Sequence, residues 1–245
     1  MSREKKILEL GNQELFPKET LEDLGHVPNY NNWVLGHFTN LVYGRTAEIG
    51  AGLGTISGLL RPNADRLDLI EPSPNLAAQL RLRFASDERC HVIENSIEAW
   101  LETSANNEFD CILMVNVLEH IRDDEAAVRG IYSALKPGGH FLVFVPALPF
   151  LFSKLDEEFG HFRRYTRRML ATCVENGGFR IRKLRYFDIS GVLPWWLLNT
   201  VLGKTSFHQP SLAFYDRFVV PPTKLIESIV PPPLGKNLVL VASKQ

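Results

Sequence analysis

Four arginines lie within six positions of one another in the stretch FGHFRRYTRRM, which covers residues 159–169. His161, Arg163, Arg164 and Tyr165 stand side by side there, in a chain whose formal net charge is only −1. Arginine binds carboxylate and phosphate oxygens through two parallel hydrogen bonds, and histidine can take up a proton near neutral pH. The stretch therefore predicts a site for a polar or anionic ligand, with His161 as a candidate general base.

This arginine cluster also has a purely structural interpretation. Three acidic residues precede it, and ion pairs to them would pin the loop: Asp156, Glu157 and Glu158. In the other interpretation, Arg163 or Arg164 faces a bound substrate. The sequence leaves both interpretations open.

A second histidine, His120, follows the apolar run FDCILMVN of residues 109–116. Such continuous apolar runs are typical of strands buried on both faces, so His120 should lie near the end of a strand. It would either act as a general base on a hydroxyl acceptor or fix the following loop by bonding its backbone.

Alternating strands and helices must position these groups. Strand patterns cover residues 45–50, 65–71, 90–95, 109–116, 140–146 and 179–188, with helical spacing between most of them. Regular alternation predicts a parallel sheet with helices on both faces. In such sheets ligands bind beyond the carboxyl ends of the strands, where the strand order reverses.

The first strand end is rich in glycine. Gly50, Gly52 and Gly54 in AEIGAGLGTIS permit a tight turn in which a ligand can approach the backbone. About 20 residues later Glu71 ends the second strand, where a carboxylate can accept hydrogen bonds from ribose hydroxyls. No GK[ST] sequence follows, which excludes a P-loop. This layout suits NAD or S-adenosylmethionine.

Two further motifs favour S-adenosylmethionine, namely LKPGGHFLVFVP at residues 135–146 and VNVLEHI at residues 115–121. Together with the glycine turn and Glu71 they resemble the class I S-adenosylmethionine-dependent methyltransferases over about residues 30–180. The resemblance implies an α/β fold: a Rossmann-like three-layer sandwich with a mostly parallel seven-stranded sheet and an antiparallel last strand, here residues 237–244. GHFRRYT further resembles a bacterial branch with a GHxRRYT-like signature.

The same resemblance implies the residues that bind S-adenosylmethionine. They are Glu48, Gly50, Ala51, Gly52, Gly54, Glu71, Pro72, Ser73, Asn95, Ser96, Ile97, Asn116 and Val117. Glu71 would take the ribose hydroxyls. Many relatives carry Asp where Ser96 stands, so Asn95 is expected to supply an amide oxygen to the adenine amino group.

The implied chemistry is an in-line displacement at a sulfonium methyl, in which the protein mainly positions the acceptor and excludes water. A hydroxyl acceptor would benefit from His120 or His161 as base. Some relatives with an ExxEH sequence, notably small-RNA 2′-O-methyltransferases and a quinone-pathway subgroup, hold a divalent metal there. Asn116 replaces the first Glu in this chain, so we predict no metal site.

We expect residues 1–245 to form a single methyltransferase domain. Its parts are an N-terminal helical cap (1–44), a cofactor-binding core (45–187), an inserted lid (188–236) and the final strand (237–244). Residues predicted to contact the substrate are Tyr30, Trp33, Arg163, Arg164, Tyr165 and Trp195. Core packing is the alternative for Tyr30 and Trp33. The Trp195–Trp196 pair could instead cover a dimer interface or dock on lipid headgroups.

The amino-acid composition limits the classes of molecule that the protein is expected to bind. The near-neutral charge argues against nucleic-acid binding, and the acceptor is expected to be a small molecule with an anionic or polar group. Three widely separated cysteines and an N-terminus without an apolar h-region favour a reducing cytoplasm. A monomer or homodimer with peripheral membrane contact is compatible with the pattern.

The favoured function is methyl transfer to oxygen, at a carboxylate or hydroxyl of a small molecule. Three alternatives stay open: a membrane-associated methyltransferase of a lipid-linked or saccharide intermediate, an N-methyltransferase, and a non-catalytic scaffold that binds the cofactor.

Overall fold

The computed structural model describes residues 27–206 and 208–245, and a seven-stranded sheet runs through it. The strands are β1 Arg45–Ile49, β2 Arg66–Ile70, β3 Cys90–Ile93, β4 Phe109–Val115, β5 Leu135–Pro146, β6 Arg180–Phe187 and β7 Asn237–Ser243. Their order is β3-β2-β1-β4-β5-β7-β6. β1 to β5 pair in parallel, and β7 runs antiparallel to both β5 and β6. The predicted fold class is therefore confirmed.

Helices cover both faces of this sheet. They are α1 Pro28–Leu35, α2 Thr55–Leu60, α3 Pro74–Arg83, α4 Ile97–Thr103, α5 Asp124–Ala134, α6 Lys154–Glu158, α7 Arg167–Asn176, α8 Val192–Trp195, α9 Gln209–Phe214 and α10 Val220–Ile229. Ile112 and Met114 of β4 belong to one core cluster, whereas Cys111 and Leu113 belong to the other. This alternation, which follows the two-residue period of a strand, builds a three-layer structure.

Side-chain caps fix where four of the helices begin. Ser73, Ser96, Asp123 and Thr166 each accept a hydrogen bond from a backbone N–H in the first turn of α3, α4, α5 and α7. Such caps satisfy backbone donors that have no partner inside the helix. Because α3 and α4 follow β2 and β3 directly, these caps also fix the loops at the carboxyl edge of the sheet.

The segment between β6 and β7, residues 188–236, is mostly helical, and we call it the insert. It contains α8, α9, α10 and two π-helical turns, Trp196–Val201 and Tyr215–Val219. Pro221 and Pro222 lie in the first turn of α10, where a missing N–H is tolerated. None of the described helices is long and apolar enough to cross a membrane.

Asp188 and Asp216 anchor the insert. Asp188 accepts hydrogen bonds from the Tyr215 hydroxyl and the backbone N–H of Gly191, and it lies 3.4 Å from the ammonium of Lys236. Asp216 accepts from the first turn of α1, including a 2.8 Å bond from the backbone N–H of Tyr30. The insert is thus tied to the sheet and to α1, while residues 1–26 of the predicted N-terminal cap lie outside the described residues.

Candidate functional site

A cavity of about 470 Å³ opens at the carboxyl ends of β1, β2 and β4. This is the edge where the strand order reverses, since β1 lies between β2 and β4. All but two of the predicted cofactor residues line it; the exceptions are Gly54 and Asn95. The cavity continues past Asn116 to His120, His161, Arg164 and Trp195.

Gly50 and Gly52 shape the turn after β1. Both have positive φ, +71° and +57°, a region that residues with a side chain rarely adopt. A Cβ on Gly50 would lie only 2.5 Å from Cγ2 of Val117, whereas a Cβ on Gly52 would meet no heavy atom within 4 Å. Gly50 therefore permits close packing of the turn against the end of β4, and Gly52 leaves cavity space open.

The two predicted residues outside the lining have other contacts. A Cβ on Gly54 would lie 2.8 Å from Leu80, so this glycine permits the turn to pack against α3. The backbone N–H of Asn95 donates to the backbone carbonyl of Glu71, and the Ser96 hydroxyl caps α4 by accepting from the N–H of Ala99. Near Ser96, Glu98 in the first turn of α4 also lines the cavity. The sequence analysis did not name Glu98, because an acid in a first helical turn has an ordinary stabilising role.

Glu71 points its carboxylate at the cavity. One carboxylate oxygen accepts from the backbone N–H of Gly52 and the other from that of Ser73, each at 2.9 Å. Burial raises the pKa of this carboxyl, although these two hydrogen bonds oppose the shift. Each oxygen keeps acceptor capacity, so the group fits a pair of ribose hydroxyls.

Glu48, at the same edge, is fully enclosed. Burial raises the pKa of its carboxyl to about 8, against the opposing effect of a hydrogen bond from the Ser57 hydroxyl at 2.5 Å. The group is thus largely protonated near neutral pH. A cation placed beside it would favour the ionised form.

One buried carboxylate, Asp156, organises the far end of the cavity. Its Oδ1 lies 2.8 Å from both Nδ1 of His161 and Nε of Arg164. Its Oδ2 accepts from the backbone N–H and the hydroxyl of Ser153, each at 2.9 Å. Two residues that the sequence predicted for the site are therefore fixed by a single acid.

Glu119 and the two histidines form a compact group beside it. Nε2 of His161 lies 3.9 Å from Oε1 of Glu119, and the rings of His120 and His161 are 4.6 Å apart. Both carboxyl oxygens of Glu119 are buried with no hydrogen-bond partner among the described residues. Burial raises the pKa of Glu119 to about 8, so the carboxyl is neutral near pH 7.

His120 is held in its neutral form. Burial, together with the nearby His161, lowers its pKa to about 3. Ligand atoms of Glu119, His120 and His161 lie within 4.8 Å of one another. This set offers a single carboxylate, whereas hard cations bind several oxygen ligands, so the absence of a metal site stays a prediction.

Arg163 and Arg164 of the arginine cluster pair with different acids, Asp124 and Asp156. Arg164 is buried, lines the cavity and lies over the Trp195 ring at 4.5 Å. Arg163 instead pairs with Asp124 at 2.6 Å, and the Tyr165 hydroxyl donates to the same carboxylate at 2.7 Å. Neither Arg163 nor Tyr165 is among the cavity-lining residues, so both pin the loop onto the start of α5.

The aromatic residues also divide. Tyr30 and Trp195 line the cavity, and the Tyr30 hydroxyl donates to Oδ1 of Asn237 at 3.1 Å. Trp33 is only 3% exposed and packs on Phe187 with ring centroids 4.0 Å apart, so the structure places it in the core rather than at the cavity.

Lys236 is a further cation at the far end of the cavity. It lines the wall, with its ammonium 5.1 Å from the Tyr30 ring centroid and 5.6 Å from that of Trp195. The sequence analysis did not find it, because the proline-rich stretch before β7 carries no chemical signature.

Comparison with known proteins agrees with this geometry. The family described as "Methyltransferase domain" matches residues 19–184, more than half of the chain. Ubiquinone biosynthesis O-methyltransferase of Xanthomonas axonopodis pv. citri is 25% identical over 171 residues, which are 62% of this chain and 67% of that protein. Phosphoethanolamine N-methyltransferase 2 of Caenorhabditis elegans is 30% identical over 115 residues, covering 45% and 26%.

A solved structure gives the same fold. Haemonchus contortus phosphoethanolamine N-methyltransferase 2, in complex with S-adenosyl-L-methionine, superposes with a TM-score of 0.66 at 18% identity, over 96% of this chain and 59% of that one. The chain belongs to the methyltransferase-domain family, and it is an S-adenosylmethionine-dependent methyltransferase.

One added methyl group should have different effects at the two glycines of the turn. Gly52→Ala should cost only backbone strain, about 1–2 kcal/mol, but should weaken S-adenosylmethionine binding roughly tenfold, because its Cβ enters the cavity. Gly50→Ala should lower the melting temperature further, since its Cβ also collides with Val117. Thermal unfolding and calorimetric titration measure both effects. Gly52→Ala with unchanged affinity would contradict this placement of the cofactor.

Proposed function

We propose that the protein transfers the methyl group of S-adenosylmethionine to an oxygen of a small acceptor that carries an anionic or strongly polar group. The observation that carries the proposal is the composition of the far end of the cavity. There Arg164 and Lys236 supply positive charge, and His161 presents a ring nitrogen. The bacterial branch with the GHxRRYT-like signature stays a prediction.

In this proposal S-adenosylmethionine supplies a methyl group on a sulfonium centre, which is a good leaving group. Most of the residues predicted to hold S-adenosylmethionine line the cavity at the carboxyl ends of β1, β2 and β4. Glu71 would bind the ribose, and the glycine turn would lie beside the methionine part. The protein's remaining task is to align an acceptor oxygen and to exclude water.

His161 is the better candidate for the base. Asp156 is the hydrogen-bond partner of Nδ1, which favours the tautomer with the proton on Nδ1 and leaves Nε2 free to accept a proton. His120 has a backbone hydrogen-bond partner in Phe159, and burial disfavours the charged form of its ring that would result from taking up a proton. Proton transfer from a hydroxyl to Nε2 of His161 would accompany attack on the methyl carbon.

The methyl group could be transferred to an oxygen or to a nitrogen atom of the acceptor. The O-methyltransferase relative matches more of this chain than the N-methyltransferase relative does, 62% against 45%. That difference favours oxygen, and N-methylation is the alternative.

A turnover assay that measures S-adenosylhomocysteine formation tests the acceptor atom. Each acceptor is paired with its amino analogue: a hydroxylated aromatic carboxylate with the corresponding amine, and a phosphorylated alcohol with the corresponding amine. Turnover of the amino member alone would establish N-methylation and contradict the proposal.

Arg163 and Arg164 make a matched pair for testing recognition of the acceptor. Arg164→Lys loses the guanidinium contact at the cavity, so kcat/KM for an anionic acceptor should fall roughly tenfold, about 1.4 kcal/mol. Arg163→Lys should lower the melting temperature through its lost bond to Asp124 and leave acceptor kinetics nearly unchanged. If the two variants were equal in kcat/KM, Arg164 would not be a substrate contact.

The pH profile follows from Glu119. Its raised pKa, about 8, means that the carboxyl is neutral below that pH and becomes a carboxylate as the pH rises through it. A new negative charge beside an anionic acceptor is unfavourable, so kcat/KM should fall roughly fivefold between pH 8 and pH 9. Glu119→Gln cannot ionise and should lose this fall, whereas the control Glu98→Gln should keep it. An unaltered fall in Glu119→Gln would exclude Glu119 as its source.

A further inference from the structure

The outer face of the insert carries apolar side chains that are exposed in the part of the chain that the structure describes. On the run from α8 into the first π-helical turn, Leu193 is 67% exposed and Leu197 45%. On α10, Leu225 and Ile229 are 64% and 74% exposed and lie four positions apart, on one side of the helix. Trp196 adds a partly exposed indole. Large exposed apolar surfaces of this kind mark interaction sites.

The charges of the insert are sorted by sign. Its acidic residues are Asp188, Asp216 and Glu227, and all three are buried. Glu227 accepts from the backbone N–H groups of Asp188 and Ile189, so it serves the interior, as Asp188 and Asp216 do.

The exposed charges of the insert are basic. Lys204, Arg217 and Lys224 are exposed, and each lies within a few positions of an exposed apolar side chain. Among the described residues, the outer face of the insert therefore combines apolar groups with positive charge alone. This is the composition of surfaces that bind the interface of anionic membranes.

We propose that this outer face of the insert docks on the headgroup region of an anionic lipid bilayer. The exposed apolar side chains would enter the interface, and Lys204, Arg217 and Lys224 would pair with lipid phosphates. An indole at position 196 suits that zone, where aromatic side chains with one polar group are favoured. The contact is peripheral, since none of the described helices is long and apolar enough to span the bilayer.

The charge pattern favours lipid over a second copy of the chain. A two-fold interface brings the same patch of both subunits together. Here it would place the same basic residues near one another with no exposed acid of the insert to pair with them. An anionic bilayer instead offers the complementary charge.

Docking would also bring the cavity close to the bilayer. Trp195 lines the cavity, and its neighbour Trp196 belongs to the exposed face. An acceptor carried in or on the membrane would thus have a short path to Arg164 and Lys236. The docking itself does not depend on which acceptor is methylated.

Vesicle flotation of the full chain tests the proposal. Vesicles of phosphatidylcholine with phosphatidylglycerol should carry the protein to the top of a density gradient, and pure phosphatidylcholine should do so weakly. Raising the salt concentration should release the protein, because the basic contacts are exposed. No flotation with the anionic vesicles would overturn the proposal.

Matched variants show whether flotation depends on this face of the insert or on charged and apolar side chains anywhere on the surface. Lys224→Glu should lower the partition coefficient by at least about fivefold, and Leu225→Ser with Ile229→Ser should lower it further. The controls lie elsewhere: Arg180→Glu at the opposite end of β6, and Leu82→Ser on α3, where the side chain is 79% exposed. Both should float like the unmodified chain. Equal losses in controls and test variants would reject this face as the docking surface.

Analytical ultracentrifugation distinguishes membrane docking from dimerisation through the same face. A dimer that Leu225→Ser with Ile229→Ser dissociates, in a protein that does not float, would identify the face as a subunit interface and overturn membrane docking. Each variant's melting temperature shows whether it is folded.

Discussion

Three buried carboxyl groups line one cavity and form no ion pair with a lysine or arginine among the described residues, and this constraint governs the site. Glu48 is held by a serine hydroxyl, Glu71 by two backbone N–H groups, and Glu119 faces His161. Removing a carboxylate from water without a counter-charge is costly, so burial raises the pKa of all three. A cationic ligand in the cavity would offset that cost, and a sulfonium cofactor is such a ligand.

Asp156 shows the opposite arrangement within the same site. Burial alone would raise the pKa of its carboxyl, but the hydrogen bond with His161 and the charge of Arg164 hold that pKa below the usual value. This compensated acid is therefore ionised, and it orients the His161 ring and the Arg164 guanidinium. Glu48 and Glu71 thus lie without an ion-pair partner among the described residues at the β1 and β2 end of the cavity. The far end holds the Asp156–Arg164 ion pair, with the neutral Glu119 carboxyl nearby. In the proposed function, this arrangement suits a cationic donor at the first end and an anionic acceptor at the second.

Local patterns in the sequence identified most of the residues that line the cavity at the ends of β1, β2 and β4, and their contact with the cofactor stays a prediction. The glycine turn, Glu71 and the ends of β2, β3 and β4 are signals contained in a few consecutive residues, and the parallel sheet brings them to one edge. The acceptor end depends on contacts between distant parts of the chain. Arg163 and Tyr165 bond Asp124, about 40 residues earlier, and Lys236 reaches the cavity only after the insert. Trp33 shows the related limit, since an apolar helical stripe does not reveal which aromatic ring faces a cavity and which the core.

Calorimetric titration with S-adenosylmethionine in two buffers of different ionisation enthalpy, near pH 7, tests the central claim most directly. Glu48 is largely protonated there, so a sulfonium placed beside it should release part of a proton to the buffer. Release should be smaller with S-adenosylhomocysteine, which lacks the sulfonium charge, and should be lost in Glu48→Gln. Binding with the same heat in both buffers would contradict the claim that the buried acids of the cavity are the counter-charge of the cofactor.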